Sequence, residues 1–147
     1  MSETVTPELL NGSCLCGGVK YEIRGGVGNL SHCHCSMCRK AHGAAFGTYA
    51  PVAWSAFRMT QGEHLVHRYR SSPSVTRSFC GVCGSTMQYI PDGSPGFFLA
   101  VGTLDSDPIR RPQVQIWVRD KAPWWNIDPE LPCYQTDPSE EHEDDGA

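Results

Sequence analysis

Seven of the eight cysteines fall into three tight groups: Cys14-Leu-Cys16, Cys33-His-Cys35-Ser-Met-Cys38 and Cys80-Gly-Val-Cys83. Neighbours at i and i+2 on an extended chain point to opposite faces, so a disulfide within a C-x-C pair would be strained. A tight turn instead aims both sulfurs at one metal, and C-x-x-C bracketed by Gly81 and Gly84 has the form of a zinc knuckle. Thiolates from Cys14, Cys16, Cys80 and Cys83 would close a tetrahedral structural site and tie the first strand to a distant hairpin. Metal binding there would add folding free energy, on the order of 10 kcal/mol for small zinc modules. Cys33, Cys35 and Cys38 supply only three thiolates. Three protein ligands and one vacant position are the pattern of a catalytic zinc, so two zinc ions per chain are expected.

Other readings of the same residues stay open. A redox-active C-x-x-C is one, although the surrounding pattern is not the βαβ context such motifs occupy. A four-ligand site that adds His34 or His42 to Cys33, Cys35 and Cys38 is another. Cys133, in Leu-Pro-Cys-Tyr, has no ligand-type neighbour and reads as a packing residue.

Three thiolates on Zn²⁺ leave a net charge of −1, which makes a weak Lewis acid toward water but a good host for sulfur. A substrate thiol bound there would lose its proton more easily. It would be positioned to attack an aldehyde and give a hemithioacetal, with proton transfer at the new hydroxyl. His42, four residues beyond the cluster, and Asp105 are the candidates for that proton transfer. Arg39 and Lys40 are placed to engage a substrate carboxylate or to offset the thiolate charge. His34 lies between two ligands, so on an extended chain its ring points away from the metal. His64 and His67 read as surface residues of a strand. Phe46, Trp54 and Trp117 fit either the wall of a pocket or the core.

The elements that must hold these groups are short strands. Val19–Ile23 alternates apolar and polar, and strands are expected at 30–34, 44–52, 57–59, 65–69, 97–101 and 114–118. Residues 35–43 suit a knuckle turn or a short helix, and 75–79 with 85–90 flank the second knuckle as a hairpin. Twenty-six Gly and Pro residues among 147 argue against a helical bundle. The expectation is a single, mainly β domain, with short helical turns and zinc as its staple.

Charge narrows the partners. The net −4 comes from the end of the chain, where Glu140, Glu141, Glu143, Asp144 and Asp145 cluster. The remainder is close to neutral and lacks the basic footprint of a nucleic-acid binder. No apolar run reaches membrane-spanning length, and the opening residues lack the charge-then-apolar pattern of a secretory signal. A reducing, cytoplasmic setting is expected, with no membrane partner. The segments expected are a flexible arm at 1–7, a zinc-binding catalytic domain at 8–135, and an acidic disordered tail at 136–147.

The motifs Gly12-Ser-Cys-Leu-Cys-Gly-Gly-Val19, Cys33-His-Cys-Ser-Met-Cys-Arg-Lys40, Phe79-Cys-Gly-Val-Cys-Gly-Ser85 and Val101-Gly-Thr-Leu-Asp105 together resemble a known family. It is that of the glutathione-dependent formaldehyde-activating enzymes, whose domain is shared with centromere protein V. Lys121-Ala-Pro-Trp124 resembles the family's C-terminal element, and Gln115 stands where many members carry a histidine. The resemblance implies an Mss4-like, tent-shaped β fold. It implies a structural zinc on Cys14, Cys16, Cys80 and Cys83, and a catalytic zinc on Cys33, Cys35 and Cys38. It also implies a carbon–sulfur lyase that condenses glutathione with formaldehyde to S-hydroxymethylglutathione, or runs the reverse. The competing classes are a non-enzymatic zinc module that binds a protein or chromatin, and a redox or metal sensor. Two closed sites or a basic surface would favour a binding module, whereas this sequence offers an open three-cysteine cluster. The oligomeric state is left open, a homo-oligomer included.

Overall fold

In the computed structural model, residues 7–138 are described. All but the last residue of the expected arm, and the acidic cluster of the expected tail, lie outside them. The described chain is mainly β, with ten strands and one α-helix. The strands are β1 (Leu9–Ser13), β2 (Lys20–Arg24), β3 (Leu30–Cys33), β4 (Gly47–Ala53), β5 (Phe57–Gln61), β6 (Val66–Ser72), β7 (Val75–Cys80), β8 (Thr86–Pro91), β9 (Gly96–Ala100) and β10 (Pro112–Ile116). The helix α1 (Ser36–His42) falls where a knuckle turn or short helix is expected. Among the described residues no helix is long and apolar enough to cross a membrane.

The residues pack as two compact units interleaved along the sequence, so no linker separates them. The first comprises the described residues up to Asn29 together with Ala50–Arg111. The second comprises Leu30–Tyr49 together with the described residues from Pro112.

In the first unit β1, β2 and β5 form an antiparallel sheet, and β6 to β9 run as an antiparallel ladder. The buried core includes Leu10, Val19, Tyr21, Ile23, Met87, Phe97 and Leu99. An aromatic chain links it: Tyr21 to Phe57 at 5.3 Å, Phe57 to Phe97 at 4.9 Å, and Trp54 to Phe97 at 4.5 Å between ring centroids. Trp54 therefore stacks against this core while staying 37% exposed.

The strand β1 is absent from the sequence expectation, and Gly12 explains why. Leu10 and Gly12 share the buried face of β1, and Gly12 pairs directly with Tyr21 on β2. A β-carbon at Gly12 would lie 2.1 Å from Tyr21 Cζ, so the Tyr21 ring fills the place an apolar side chain would take. The inward position holds no hydrophobe, and the alternation that marks a strand is lost.

In the second unit β3 pairs antiparallel with the start of β4 and parallel with β10. The strand expected through Val118 ends at Ile116, because Trp117 adopts a left-handed backbone with φ 56° and opens a 3₁₀ turn at Val118–Asp120. Its core is unusually polar for its size, with His34 and Gln115 as buried as Cys33, Cys38 and Tyr49.

Candidate functional site

Each cysteine group sits where the backbone turns. Cys14 and Cys16 follow β1, while Cys80 ends β7 and Cys83 follows it. The two knuckles are alike: the residue after each second cysteine, Gly17 or Gly84, is left-handed, with φ 78° and 80°. An L-side chain disfavours that conformation, which is why glycine stands there. Backbone N–H groups point at the leading sulfurs, Val19 N to Cys14 Sγ at 3.3 Å and Val82 N to Cys80 Sγ at 3.4 Å. Ser85 joins the turns by accepting from Leu15 N at 2.8 Å while contacting Cys83 Sγ at 3.3 Å. The Ser85 hydroxyl and its backbone N–H pull the Cys83 thiol down to about 5, which favours the thiolate.

All four sulfurs of this group lie within 4.8 Å of one another, with Cys14 to Cys16 at 3.5 Å and Cys16 to Cys80 at 3.9 Å. A tetrahedral zinc with Zn–S near 2.3 Å demands S···S separations of about 3.8 Å. The donor set therefore fits zinc, and the separations are far beyond a disulfide bond. All eight cysteines are free.

The second group is Cys33, at the end of β3, with Cys35 and Cys38. Their sulfurs also lie mutually within 4.8 Å, and among the described residues no Cys, His, Asp or Glu atom joins them as a fourth. Cys35 caps α1, and its Sγ accepts from Cys38 N at 3.4 Å. Hydrogen bonding to Cys35 and Cys38, and burial, push the Cys33 thiol far upward. Three sulfurs this close cannot all ionise without a cation among them, so this set too fits a metal.

Neither His34 nor His42 joins that group. His34 is fully buried, with its Nε2 hydrogen-bonded to Gln115 Oε1 at 3.1 Å. Gln115 in turn donates to the Asp128 carbonyl at 2.9 Å. Burial lowers the His34 pKa, which favours the neutral ring. Its Nδ1 has no hydrogen-bond partner among the described residues. Phe46 packs between the His32 and His34 rings on one side and Trp125 on the other.

His42, the last residue of α1, bonds through Nε2 to the buried Tyr49 hydroxyl at 2.7 Å. Its location relative to the cysteines follows from register. Gly47 is the direct antiparallel partner of Cys33, so substituents of the two residues project from the same face of the sheet. A β-carbon at Gly47 would meet His42 Nε2 at 2.6 Å. The His42 ring thus occupies the side-chain space beside Cys33.

The remaining candidates are placed as follows. Arg39 donates through Nε to the Asp120 carbonyl at 3.2 Å, and Lys40 is exposed on α1. Asp105 belongs to the first unit, where Ser13 Oγ donates to it at 2.7 Å and its own N–H donates to the Asn11 carbonyl. Trp117 stacks under Arg119 at 4.8 Å, and His64 and His67 are exposed. Cys133 departs from the expected packing role. It is exposed, and it contacts Gln115 Nε2 at 3.5 Å and the Leu131 carbonyl at 3.3 Å. Tyr49 and Gln115 are the two site residues whose partners the sequence did not indicate: Gln115 meets His34 along the β3–β10 pairing, and Tyr49 meets His42 where the chain returns from α1 into β4.

The model of the glutathione-dependent formaldehyde-activating enzyme family matches residues 9–120, which include both cysteine groups. The chain belongs to this family. Among solved structures, a crystal structure of a Rhodobacter sphaeroides protein shares the fold, with a TM-score of 0.54 at 19% identity. The match covers 84% of this chain and 98% of that one.

Proposed function

We propose that this member of the family is a zinc-dependent carbon–sulfur lyase of the S-hydroxymethylglutathione synthase type. It joins a thiol such as glutathione to a small aldehyde such as formaldehyde, and in reverse releases them. The observation that carries this reading is a gathering of three sulfurs, with no fourth protein ligand among the described residues, beside the His42–Tyr49 pair. Cys33, Cys35 and Cys38 would hold the zinc, which supplies a position for the substrate sulfur and lowers its pKa.

In the condensation a carbon–sulfur bond forms, the carbonyl π bond breaks, and the thiol proton ends on the new hydroxyl oxygen. His42 is the group proposed to carry that proton, with the Tyr49 hydroxyl fixing its ring at 2.7 Å. Gly47 keeps the space between His42 and Cys33 free of a side chain. Arg39 and Lys40, on the helix that carries Cys38, are proposed to meet the carboxylates of glutathione, Arg39 being anchored by the Asp120 carbonyl. The proposed step needs no part from Asp105, which Ser13 holds in the first unit. A reducing cytoplasm suits a protein whose eight thiols are all free.

Metal analysis with an activity assay tests the reading. The loaded protein should hold two zinc ions, and a folded Cys35→Ser variant one. The unmodified protein should accelerate hemithioacetal formation from glutathione and formaldehyde, followed by exchange NMR. His42→Gln should lower that rate about 10²- to 10⁴-fold at unchanged zinc content. A single zinc in the fully loaded protein, or no acceleration, refutes the proposal.

A further inference from the structure

Leu30–Tyr49, the segment that carries the three-sulfur group, contains no Asp or Glu, and its Arg39 and Lys40 directly follow Cys38 on α1. A third cation joins them from the turn at Val118–Asp120. Arg39 Nε donates to the Asp120 carbonyl at 3.2 Å, which brings its guanidinium to the residue after Arg119. Arg119 is exposed, and its guanidinium lies over the Trp117 ring at 4.8 Å. The Asp120 carboxylate stands off from Arg119 at 3.7 Å, too long for a hydrogen bond. Lys121 is engaged elsewhere, on the Trp125 carbonyl at 3.0 Å. Arg39, Lys40 and Arg119 thus form a cationic surface within the second unit.

The end of the described chain is pinned to the same turn. Trp117 N donates to the Thr136 carbonyl at 3.3 Å, Val118 N to the Tyr134 carbonyl at 3.1 Å, and Arg119 N to the Gln135 carbonyl at 3.4 Å. Four residues beyond Thr136 begins the run Glu140, Glu141, Glu143, Asp144 and Asp145, five carboxylates in six positions. Four residues span at most about 14 Å and nine about 32 Å, so this run starts within reach of the three cations. A tether this short sets an effective concentration on the order of millimolar.

We propose that the acidic run at 140–145 docks on Arg39, Lys40 and Arg119 of its own chain and there competes with an anionic substrate. The competition rests on the reading of Arg39 and Lys40 as the groups that meet substrate carboxylates, whereas the docking stands without it. Charge complementarity and the anchor at Thr136 select this occupant. The run of a second copy carries the same charge but lacks the tether. Exposed ion pairs are individually weak and screened by salt, so the contact acts as a partial brake that rising substrate or salt lifts.

The test compares the zinc-loaded full chain with a neutral-tail form carrying Glu140→Gln, Glu141→Gln, Glu143→Gln, Asp144→Asn and Asp145→Asn, all outside the described residues. In ¹H–¹⁵N NMR at low salt the two forms should differ at the Arg39 and Arg119 Nε–H signals and the Lys40 amide, equally at every protein concentration. The difference should vanish in 1 M NaCl, where the screening length is about 3 Å. S-methylglutathione, which keeps the carboxylates of glutathione but has no thiol, should bind the neutral-tail form about three- to tenfold more tightly. Docking is overturned by identical signals in the two forms, by differences confined to other residues, or by differences that grow with protein concentration. Competition is overturned if S-methylglutathione binds both forms equally or binds neither. Failure of the lyase reading shows separately, as no acceleration of hemithioacetal formation with the NMR differences intact.

Discussion

Replacing Gly47 with alanine should disturb the His42 position without touching a cysteine, and its cost can be worked from the structure. Gly47 is buried on β4, and a β-carbon there would lie 2.6 Å from His42 Cδ2 and Nε2 and 2.9 Å from Tyr49 Cε2. Those separations are about 1 Å short of van der Waals contact, so something must move. Tyr49 is buried and cannot retreat, whereas the His42 ring is the end of a side chain at the close of a seven-residue helix. The ring should swing away and lose its 2.7 Å bond to Tyr49. Overpacking of this kind costs about 1–3 kcal/mol. Alanine recovers about 0.4–1 kcal/mol by restricting the unfolded chain. The net destabilisation expected is about 1–2 kcal/mol, read as a fall of roughly 2–8 °C in melting temperature. Activity should fall to the level of His42→Gln, with both zinc ions retained. The decisive assay is a double-mutant cycle by urea denaturation. In a His42→Ala background the main clash is gone, so the Gly47→Ala penalty should shrink by at least about 0.5 kcal/mol. An identical penalty in both backgrounds would refute the placement of His42 beside Cys33.

Three further outcomes are expected. Gly12→Ala meets the Tyr21 ring at 2.1 Å, and Tyr21 is fixed by a 2.6 Å hydrogen bond between its hydroxyl and Thr103, so a loss at the upper end of the about 1–3 kcal/mol overpacking range should appear in denaturation curves. Gln115→Leu removes the partner of His34 Nε2 inside a core where Nδ1 is already unpaired, and should cost about 1–3 kcal/mol by the same measurement while leaving zinc content unchanged. Chelator titration should release zinc in two phases, followed with a colorimetric metal indicator and circular dichroism. The three-sulfur site should empty first with the spectrum intact, and the four-sulfur site should empty with loss of β signal. A single phase would contradict the division into open and closed clusters.

Much of this arrangement was legible from spacing. The two cysteine sets are local pairs and triplets, and a knuckle needs only a tight turn, so Gly17, Gly81 and Gly84 advertise it in the sequence. The short helix at Ser36–His42 was legible as one of two options, and the β7–β8 hairpin was legible because a knuckle must join two strands. What stayed hidden depends on pairing between distant strands. The strand β1 was concealed because the Tyr21 ring stands over Gly12, so its partner supplies the hydrophobic bulk. The end of β10 was misplaced because Trp117 takes a left-handed backbone that its residue type does not suggest. The Gln115 partner of His34 follows from the β3–β10 pairing, and the Tyr49 partner of His42 from the way the chain returns from α1 into β4.

Register also explains how two clusters of one element can differ in chemistry. The four-sulfur group is assembled from two similar turns, each with a backbone N–H on its leading sulfur, and Ser85 laces one turn to the other. Every ligand position there is filled by the chain. The three-sulfur group is assembled from a strand end and a helix start, and the residue paired with Cys33 across the sheet is Gly47, which contributes no side chain. A larger residue at that position would displace the His42 ring. Glycine at 47 therefore lets an imidazole lie in the side-chain space beside Cys33, next to a set of three sulfurs, and the chemistry proposed on a substrate sulfur uses both.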